Sequence, residues 1–221
     1  MAGAALVCAV PSSSSIRLKP KELPRSASGS VFAGLSLGMF AMVALHFVQP
    51  TLNPIDEPVS FYVHGAHGWL LPLALGSFGL ACIGLARALS GLLPRRPRCM
   101  LALFGTGMFL TAIIPSDTWF PWEMKPSWSG LIHSAVATLA PVLLLDPMFA
   151  ITRARYGQFG LAVRGCFIGY AAALAGSALS LAVGFALDVS PPRIGLAERL
   201  LALAALAWVA LVALGVRRPV S

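Results

Sequence analysis

The sequence predicts an all-α integral membrane protein, a bundle of six transmembrane helices with both termini in the cytoplasm. Of its 221 residues, 57% are hydrophobic and only 11% are charged. A soluble chain of this size still exposes a large surface to water, and so few charged residues could not cover it. Apolar stretches long enough for membrane helices alternate with polar loops, which is the pattern of a polytopic protein.

Residues 1–29 are predicted to form a disordered, basic cytoplasmic tail ahead of a transmembrane domain over residues 30–217. The tail is rich in Ser and Pro, and its basic residues follow a short apolar patch. A signal peptide has the reverse order, with positive charge before the apolar core. A transit peptide, which is also Arg- and Ser-rich and poor in acids, is the alternative interpretation.

Six apolar segments approach the roughly 20 residues that a helix needs to cross a hydrocarbon core about 30 Å thick. The third is the shortest, and it reaches an ordinary length only if its helix continues through residues 116–119. Asp117 would then lie at the headgroups and Trp119 in the aromatic belt. The predicted spans cover residues 31–48, 69–89, 99–115, 130–150, 164–187 and 196–216.

The basic residues alternate between the two sides of this predicted bundle. Thirteen of the sixteen Lys and Arg residues fall in the tail, the second and fourth loops and the C-terminal end, whereas the other loops carry Lys125, Arg193 and Arg199. The positive-inside rule therefore places both termini in the cytoplasm and the protein in the cell membrane. This distribution explains the net charge of +8. The expected partner of the basic residues is therefore the lipid bilayer and not nucleic acid.

Small residues recur at helical spacing in the spans, which permits close backbone contact between helices in lipid. The spaced residues are Gly34 and Gly38 in the first span, and Gly165, Gly169, Ala173, Gly176, Ser180 and Gly184 in the fifth. These faces predict packing within the chain, against a membrane-protein partner, or against a second copy of the chain.

Histidines and carboxylates concentrate on the side predicted to face outward. His64 and His67 lie three residues apart, Asp117 follows the third span, and His133 begins the fourth. Imidazole and carboxylate groups suit zinc, and a catalytic site would keep one position for water. His-x-x-His is a weak motif, however, and the sequence has no HExxH. In the alternative interpretation the histidine pair contacts lipid headgroups, and Trp69 anchors the start of the second span.

Asp146 precedes Pro147 near the cytoplasmic end of the fourth span. An ionisable residue at membrane depth is a functional hypothesis by default, but close to the interface a structural ion pair is favoured. The predicted partner is Arg153 or another inner arginine. The spans contain no mid-membrane chain of titratable groups, which argues against a proton pump or a strongly coupled ion transporter.

Three blocks of the sequence together resemble a bacterial membrane family of unknown function, known as domain of unknown function 998. The blocks are VSFYVHGAHGWL at 59–70, GTGMFLTAIIPSD at 105–117 and SGLIHSAVATLA at 129–140. The resemblance implies a six-span protein over roughly residues 30–216. The positions that match the family pattern are Ser60, Tyr62, Gly65, Gly68, Trp69, Pro115, Asp117, Gly130 and His133.

His64 and His67 fall at positions that this pattern does not fix as histidine. The resemblance therefore shifts interest to Asp117 and His133, which would meet at the outer mouth between the third and fourth spans. A role for them like that in lipid-cleaving metal hydrolases is an analogy at the level of fold.

Three hypotheses for function follow. The leading one is a protein without enzymatic activity or cofactor: an accessory, assembly or lipid-interacting component of the membrane. The alternative is a zinc- or other metal-assisted hydrolase acting on a lipid or envelope substrate. In it, Asp117 and His133 are the first catalytic candidates, assisted by His64 or His67. The third hypothesis is a transporter of small molecules or lipids.

Overall fold

The computed structural model describes residues 25–154 and 159–217, and these ranges contain helices and no β-strand. The all-α prediction is confirmed. A seventh, short 3₁₀ helix over Val59–His64 was not predicted, so the expected number of helices is too low by one. The six α-helices are α1 (Arg25–Val48), α2 (Leu70–Ala88), α3 (Arg95–Ile113), α4 (Trp128–Arg153), α5 (Gly160–Leu187) and α6 (Ile194–Arg217).

Helix α1 begins at Arg25, ahead of the predicted domain boundary at residue 30. Its apolar part starts at Ser28 and runs to Val48. The rest of the predicted tail, residues 1–24, lies outside the described residues.

Five of the six α-helices are long and apolar enough to cross a membrane, and the exception among the described helices is α3. Arginines occupy three of its first four positions: Arg95, Arg96 and Arg98. The apolar part that follows, residues 99–113, measures about 22 Å at 1.5 Å per residue, which is less than the thickness of a hydrocarbon core. Helix α3 can therefore span a bilayer only if its arginine side chains reach along it to the interface.

The C-terminal end of α3 differs from the extension considered from the sequence. The helix ends at Ile113 and does not continue through residues 116–119. Pro115 explains this end, because a residue before proline is sterically kept out of the helical region, and Ile114 is extended, with φ −99° and ψ 114°. The chain turns there into the loop that carries Asp117.

Helices α1 to α4 pack as successive antiparallel neighbours, with small residues at their closest approaches. Gly34 and Gly38 of α1 lie directly against the backbone of α2, so this GxxxG pair packs within the chain. Gly79 of α2 and Gly105 of α3 meet each other in the same way.

The spaced small residues predicted on α5 do not all take part in packing. A Cβ added at Gly165, Gly169 or Gly176 would meet no described atom within 4 Å, so these glycines face open space. Gly184, in contrast, packs against Pro191 in the following loop.

The apolar core draws buried side chains from all six α-helices. Its fully buried side chains include Leu144, Met148 and Trp208. Tyr170 of α5 is also buried, and its Oη donates a hydrogen bond of 2.8 Å to the carbonyl of Pro141 inside α4. This bond joins α5 to the rest of the bundle.

Asp146 forms an ion pair, as predicted for a carboxylate near the interface. Its Oδ1 lies 3.4 Å from Nη2 of Arg96 on α3. The partner is thus another arginine of this end rather than Arg153, whose guanidinium lies 5.5 Å from the ring centroid of Phe149. The pair links the start of α3 to the C-terminal half of α4.

Candidate functional site: the loop cap

Three loops join into one surface at one end of the bundle. Ser116, after α3, donates from Oγ to the carbonyl of Ser60 in the α1–α2 loop, at 3.2 Å. Trp122 donates from Nε1 to the carbonyl of Val189 in the α5–α6 loop, at 3.1 Å. The loops that connect α1 to α2, α3 to α4 and α5 to α6 therefore form a single polar layer. This surface is termed the loop cap, and it consists of residues 49–69, 114–127 and 188–193.

Aromatic rings also cross the loop cap. The ring centroids of Phe61 and Phe120 lie 5.8 Å apart, and Phe120 stacks on Trp122 at 5.2 Å. Trp122 in turn meets Phe185 of α5 edge to face at 5.9 Å. This row connects the loops through contacts that need no external ligand.

Asp117 organises the start of α4. The Ser127 side chain caps the helix by accepting a hydrogen bond of 2.9 Å from the backbone N–H of Gly130. Both oxygens of Asp117 bind Ser127, accepting from its hydroxyl at 2.7 Å and from its backbone N–H at 2.9 Å. A carboxylate at a helix N-terminus is also favoured by the helix dipole. Asp117 is therefore engaged in ordering the turn into α4.

Gly130 is required by the same arrangement. A Cβ at this position would collide with the carboxylate of Asp117. The spacing between Asp117 and Gly130 is thus a steric requirement of the capped turn.

His133 closes the other side of this turn. Its side chain is 4% exposed, and Nδ1 lies 2.6 Å from the carbonyl oxygen of Ile114, so Nδ1 carries the hydrogen and donates it. That carbonyl belongs to the end of α3, where the helix leaves its last carbonyls without a helical partner. His133 therefore supplies the bond that joins the end of α3 to the start of α4.

The two other predicted metal ligands lie on the surface of the loop cap. His64 and His67 are both exposed, and Nε2 of His64 is 3.5 Å from Oγ of Ser116. In residues 25–154 and 159–217 no group of three or more His, Cys, Asp or Glu side chains is arranged to hold a metal ion. The geometry of these residues gives no support to a joint site of His64, His67, Asp117 and His133.

A second polar cluster, which sequence reasoning missed, lies between α1, the 3₁₀ helix and α6. Arg199, predicted as a loop charge, lies in the second turn of α6. Its Nη1 donates to the carbonyls of Glu57 at 3.1 Å and Gly195 at 2.9 Å. Its Nη2 donates to Tyr62 Oη at 3.2 Å, and its Nε donates to His46 Nε2 at 2.9 Å. These groups, with Glu198, are termed the Arg199 cluster.

The hydrogen bonds of His46 fix its protonation state in this arrangement. Nδ1 lies 2.8 Å from the carbonyl of Met42 and must donate to it. Nε2 must accept from Arg199, because a guanidinium has no acceptor. His46 is therefore a neutral imidazole, and both of its nitrogens are occupied by the protein.

Glu198 completes the cluster. Its Oε2 accepts a hydrogen bond of 2.7 Å from the backbone N–H of Val59, the first residue of the 3₁₀ helix. The carboxylate thus fixes the start of that helix to α6, beside Arg199. The signal in the sequence was an acid and a base side by side within an apolar helix, where ionisable residues are costly.

The positions that carry the family resemblance all lie in or beside the loop cap. Tyr62 Oη accepts a hydrogen bond from Arg199, and the carbonyl of Ser60 accepts one from Ser116. Pro115 ends α3. A side chain at Gly68 would collide with the carbonyl of Val63. The three sequence blocks are thus the 3₁₀ helix with the turn that leads into α2, the C-terminal part of α3 with the loop that follows it, and the first half of α4.

Comparison with known proteins gives one match. No curated protein and no solved structure matches the chain. The model of a family described as a protein of unknown function, DUF998, matches residues 32–215. This range contains all of the bundle except the first residues of α1 and the last residues of α6. The chain therefore belongs to the DUF998 family, a family of unknown function.

Proposed function

We propose that this chain is a six-span protein of the cell membrane that works without enzymatic chemistry, as an accessory, assembly or lipid-interacting component. One observation carries the proposal: Asp117 of the loop cap and the groups of the Arg199 cluster bind the protein's own backbone and side chains. Asp117 uses both oxygens on Ser127, and His46 uses both nitrogens within the Arg199 cluster. A hydrolytic site would need such groups free to hold a metal, a water or a substrate.

The proposed orientation has both termini in the cytoplasm and the loop cap outside. It is supported by the end of the bundle opposite the cap, which is rich in arginine and carries a single described acid, Asp146. This end is termed the arginine end. Its described basic side chains are those of Arg87, Arg95, Arg96, Arg98, Arg153 and Arg164. The positive-inside rule favours a cytoplasmic position for such an end. In this orientation α3 also crosses the membrane, which brings the number of spans from five to six.

Metal analysis of the purified protein tests the non-enzymatic proposal. We expect no stoichiometric zinc in the wild type, because both oxygens of Asp117 are engaged by Ser127 and no three His, Cys, Asp or Glu side chains of the described residues are arranged to hold a metal ion. About one zinc per chain that is lost in His133→Ala and retained in Glu123→Gln would instead favour the metal-assisted hydrolase. Glu123 is a matched control, since it is an exposed carboxylate of the loop cap whose partners lie away from His133.

Cysteine labelling tests the orientation, and the chain supplies its own internal control. Met124 is 58% exposed in the loop cap, whereas the native Cys99 is exposed at the arginine end. With Cys8 and Cys166 replaced by Ser, Met124→Cys should react with an impermeant maleimide in intact cells. Cys99 should react only after permeabilisation, and the reverse order would overturn the proposed orientation.

A further inference from the structure

The arginine end has more positive charge than the protein itself balances. Its single ion pair among the described residues joins Arg96 to Asp146, and the side chain of Arg96 remains 81% exposed. Arg87, Arg95 and Arg164 are exposed and have no ion-pair partner in the described ranges. Nε of Arg98 is buried and has no hydrogen-bond partner there. This surface can therefore accept anionic groups from outside the chain.

The excess is concentrated at the first turn of α3. Arginines near the C-terminal ends of α2 and α4, such as Arg87 and Arg153, complement the negative ends of those helix dipoles. The start of α3 is the opposite case, because three arginines lie at a positive helix end. Its N-cap is Pro94, which makes no side-chain cap, and its first turn contains no acid. Backbone N–H groups and guanidinium groups thus point to the same chemistry, the binding of a phosphate.

Apolar side chains lie next to these donors. Leu103 follows Arg96 by two helical turns on the same face of α3 and is 49% exposed. Phe149, also 49% exposed, lies beneath the guanidinium of Arg153. A phosphate at the arginines would therefore bring any attached hydrocarbon chain onto exposed apolar surface. This combination fits a lipid better than a soluble anion.

We propose that the arginine end, centred on the first turn of α3, binds the headgroups of anionic phospholipids. The inference deepens the proposed function, because it assumes a membrane component that interacts with lipid. It also explains how α3 can cross the bilayer with a short apolar part, because bound headgroups hold the arginines of its first turn at the interface.

The test uses the purified full chain in neutral detergent, titrated with phosphatidylglycerol or phosphatidylcholine and analysed by native mass spectrometry. We expect the wild type to prefer phosphatidylglycerol, with a preference that falls as salt is raised. Arg95→Gln with Arg98→Gln should weaken phosphatidylglycerol binding roughly 30-fold. The matched control, Lys125→Gln with Arg193→Gln, removes the same charge from the loop cap and should change binding by less than about twofold.

The outcomes are distinct. Wild-type affinity in the folded double variant would overturn the inference, as would displacement of phosphatidylglycerol by millimolar inorganic phosphate, which would indicate a site for soluble anions. If the double variant fails to fold, Arg95→Gln alone should weaken binding about fivefold, and an unchanged affinity would again overturn the inference. Metal content and lipid hydrolysis measured on the same samples address the proposed function separately, because either can be present whichever lipid is preferred.

Discussion

The loop cap and the arginine end carry opposite kinds of polar residue and use them differently. At the loop cap and the Arg199 cluster beside it, Asp117, His133 and Arg199 bind backbone groups and side chains of the protein itself. At the arginine end, the described residues form one ion pair, and most of the guanidinium groups are exposed. Asp117, His133 and Arg199 are thus bonded within the protein, whereas the arginine end is left with charge for external partners.

This difference shows what each set of residues contributes. Groups that bind the protein itself fix the ends of α1, α3, α4 and α6 relative to one another, so their loss should lower the stability of the fold. Exposed arginines contribute little to the fold because solvent screens them. Substitutions at the two ends should therefore separate stability from lipid binding.

The largest effect is expected for Arg199→Met, which keeps the apolar stem of the side chain and removes its charged head. It deprives His46, Tyr62 and two carbonyls of a donor and leaves Glu198 without a neighbouring positive charge. We expect a loss of about 3 kcal/mol of stability, measured by thermal unfolding in detergent with circular dichroism. Lys125→Met, on an exposed loop, is the control and should change stability by less than about 0.5 kcal/mol.

The second effect compares two glycine substitutions. Gly130→Ala places a methyl group against the carboxylate of Asp117 and should cost about 2 kcal/mol. Gly176→Ala meets open space in the middle of α5 and should be neutral or stabilising, by up to about 1 kcal/mol. Equal effects at both positions would show that the cap is not tightly packed around Asp117.

A smaller effect is expected for Asp117→Asn. The amide keeps the size of the side chain, but it turns one oxygen into a donor and removes the negative charge at the start of α4. We expect a loss of about 1 kcal/mol in the same unfolding measurement. Glu123→Gln, elsewhere in the cap, should cost less, and the opposite ranking would contradict the role assigned to Asp117.

The smallest effect is expected at the arginine end. Asp146→Asn breaks the ion pair with Arg96, whose side chain is largely solvent-exposed, and should change stability by less than about 1 kcal/mol. The same variant leaves more unbalanced positive charge, so its affinity for phosphatidylglycerol should rise. A loss of stability as large as that of Arg199→Met would remove the contrast between the two ends.

Much of the fold follows from short-range patterns in the sequence. The apolar runs predict the helices, and the glycine spacing predicts a close helix contact at Gly34 and Gly38, for which the structure supplies the partner, α2. The end of α3 was predictable from Pro115, since the conformational restriction of the preceding residue is local.

The loop cap was less accessible to sequence reasoning, because its bonds join distant parts of the chain. Arg199 meets His46, and Glu198 meets Val59, only after α1 and α6 come together. Asp117 and His133 could be singled out from their motifs. Their partners Ser127 and Ile114 could not, because these contacts depend on the conformation of the loop between α3 and α4. In the structure, Asp117 and His133 help to join the end of α3 to the start of α4.

The most direct test of this account is a double-mutant cycle at the Arg199 cluster, with His46→Leu, Arg199→Met and the two combined. If the Arg199 cluster holds α1 and α6 together through the bond between His46 and Arg199, the two changes should be coupled by about 1 kcal/mol or more in unfolding free energy. Additive effects, with coupling below about 0.3 kcal/mol, would contradict the account, because they would show that His46 and Arg199 do not stabilise the bundle through each other.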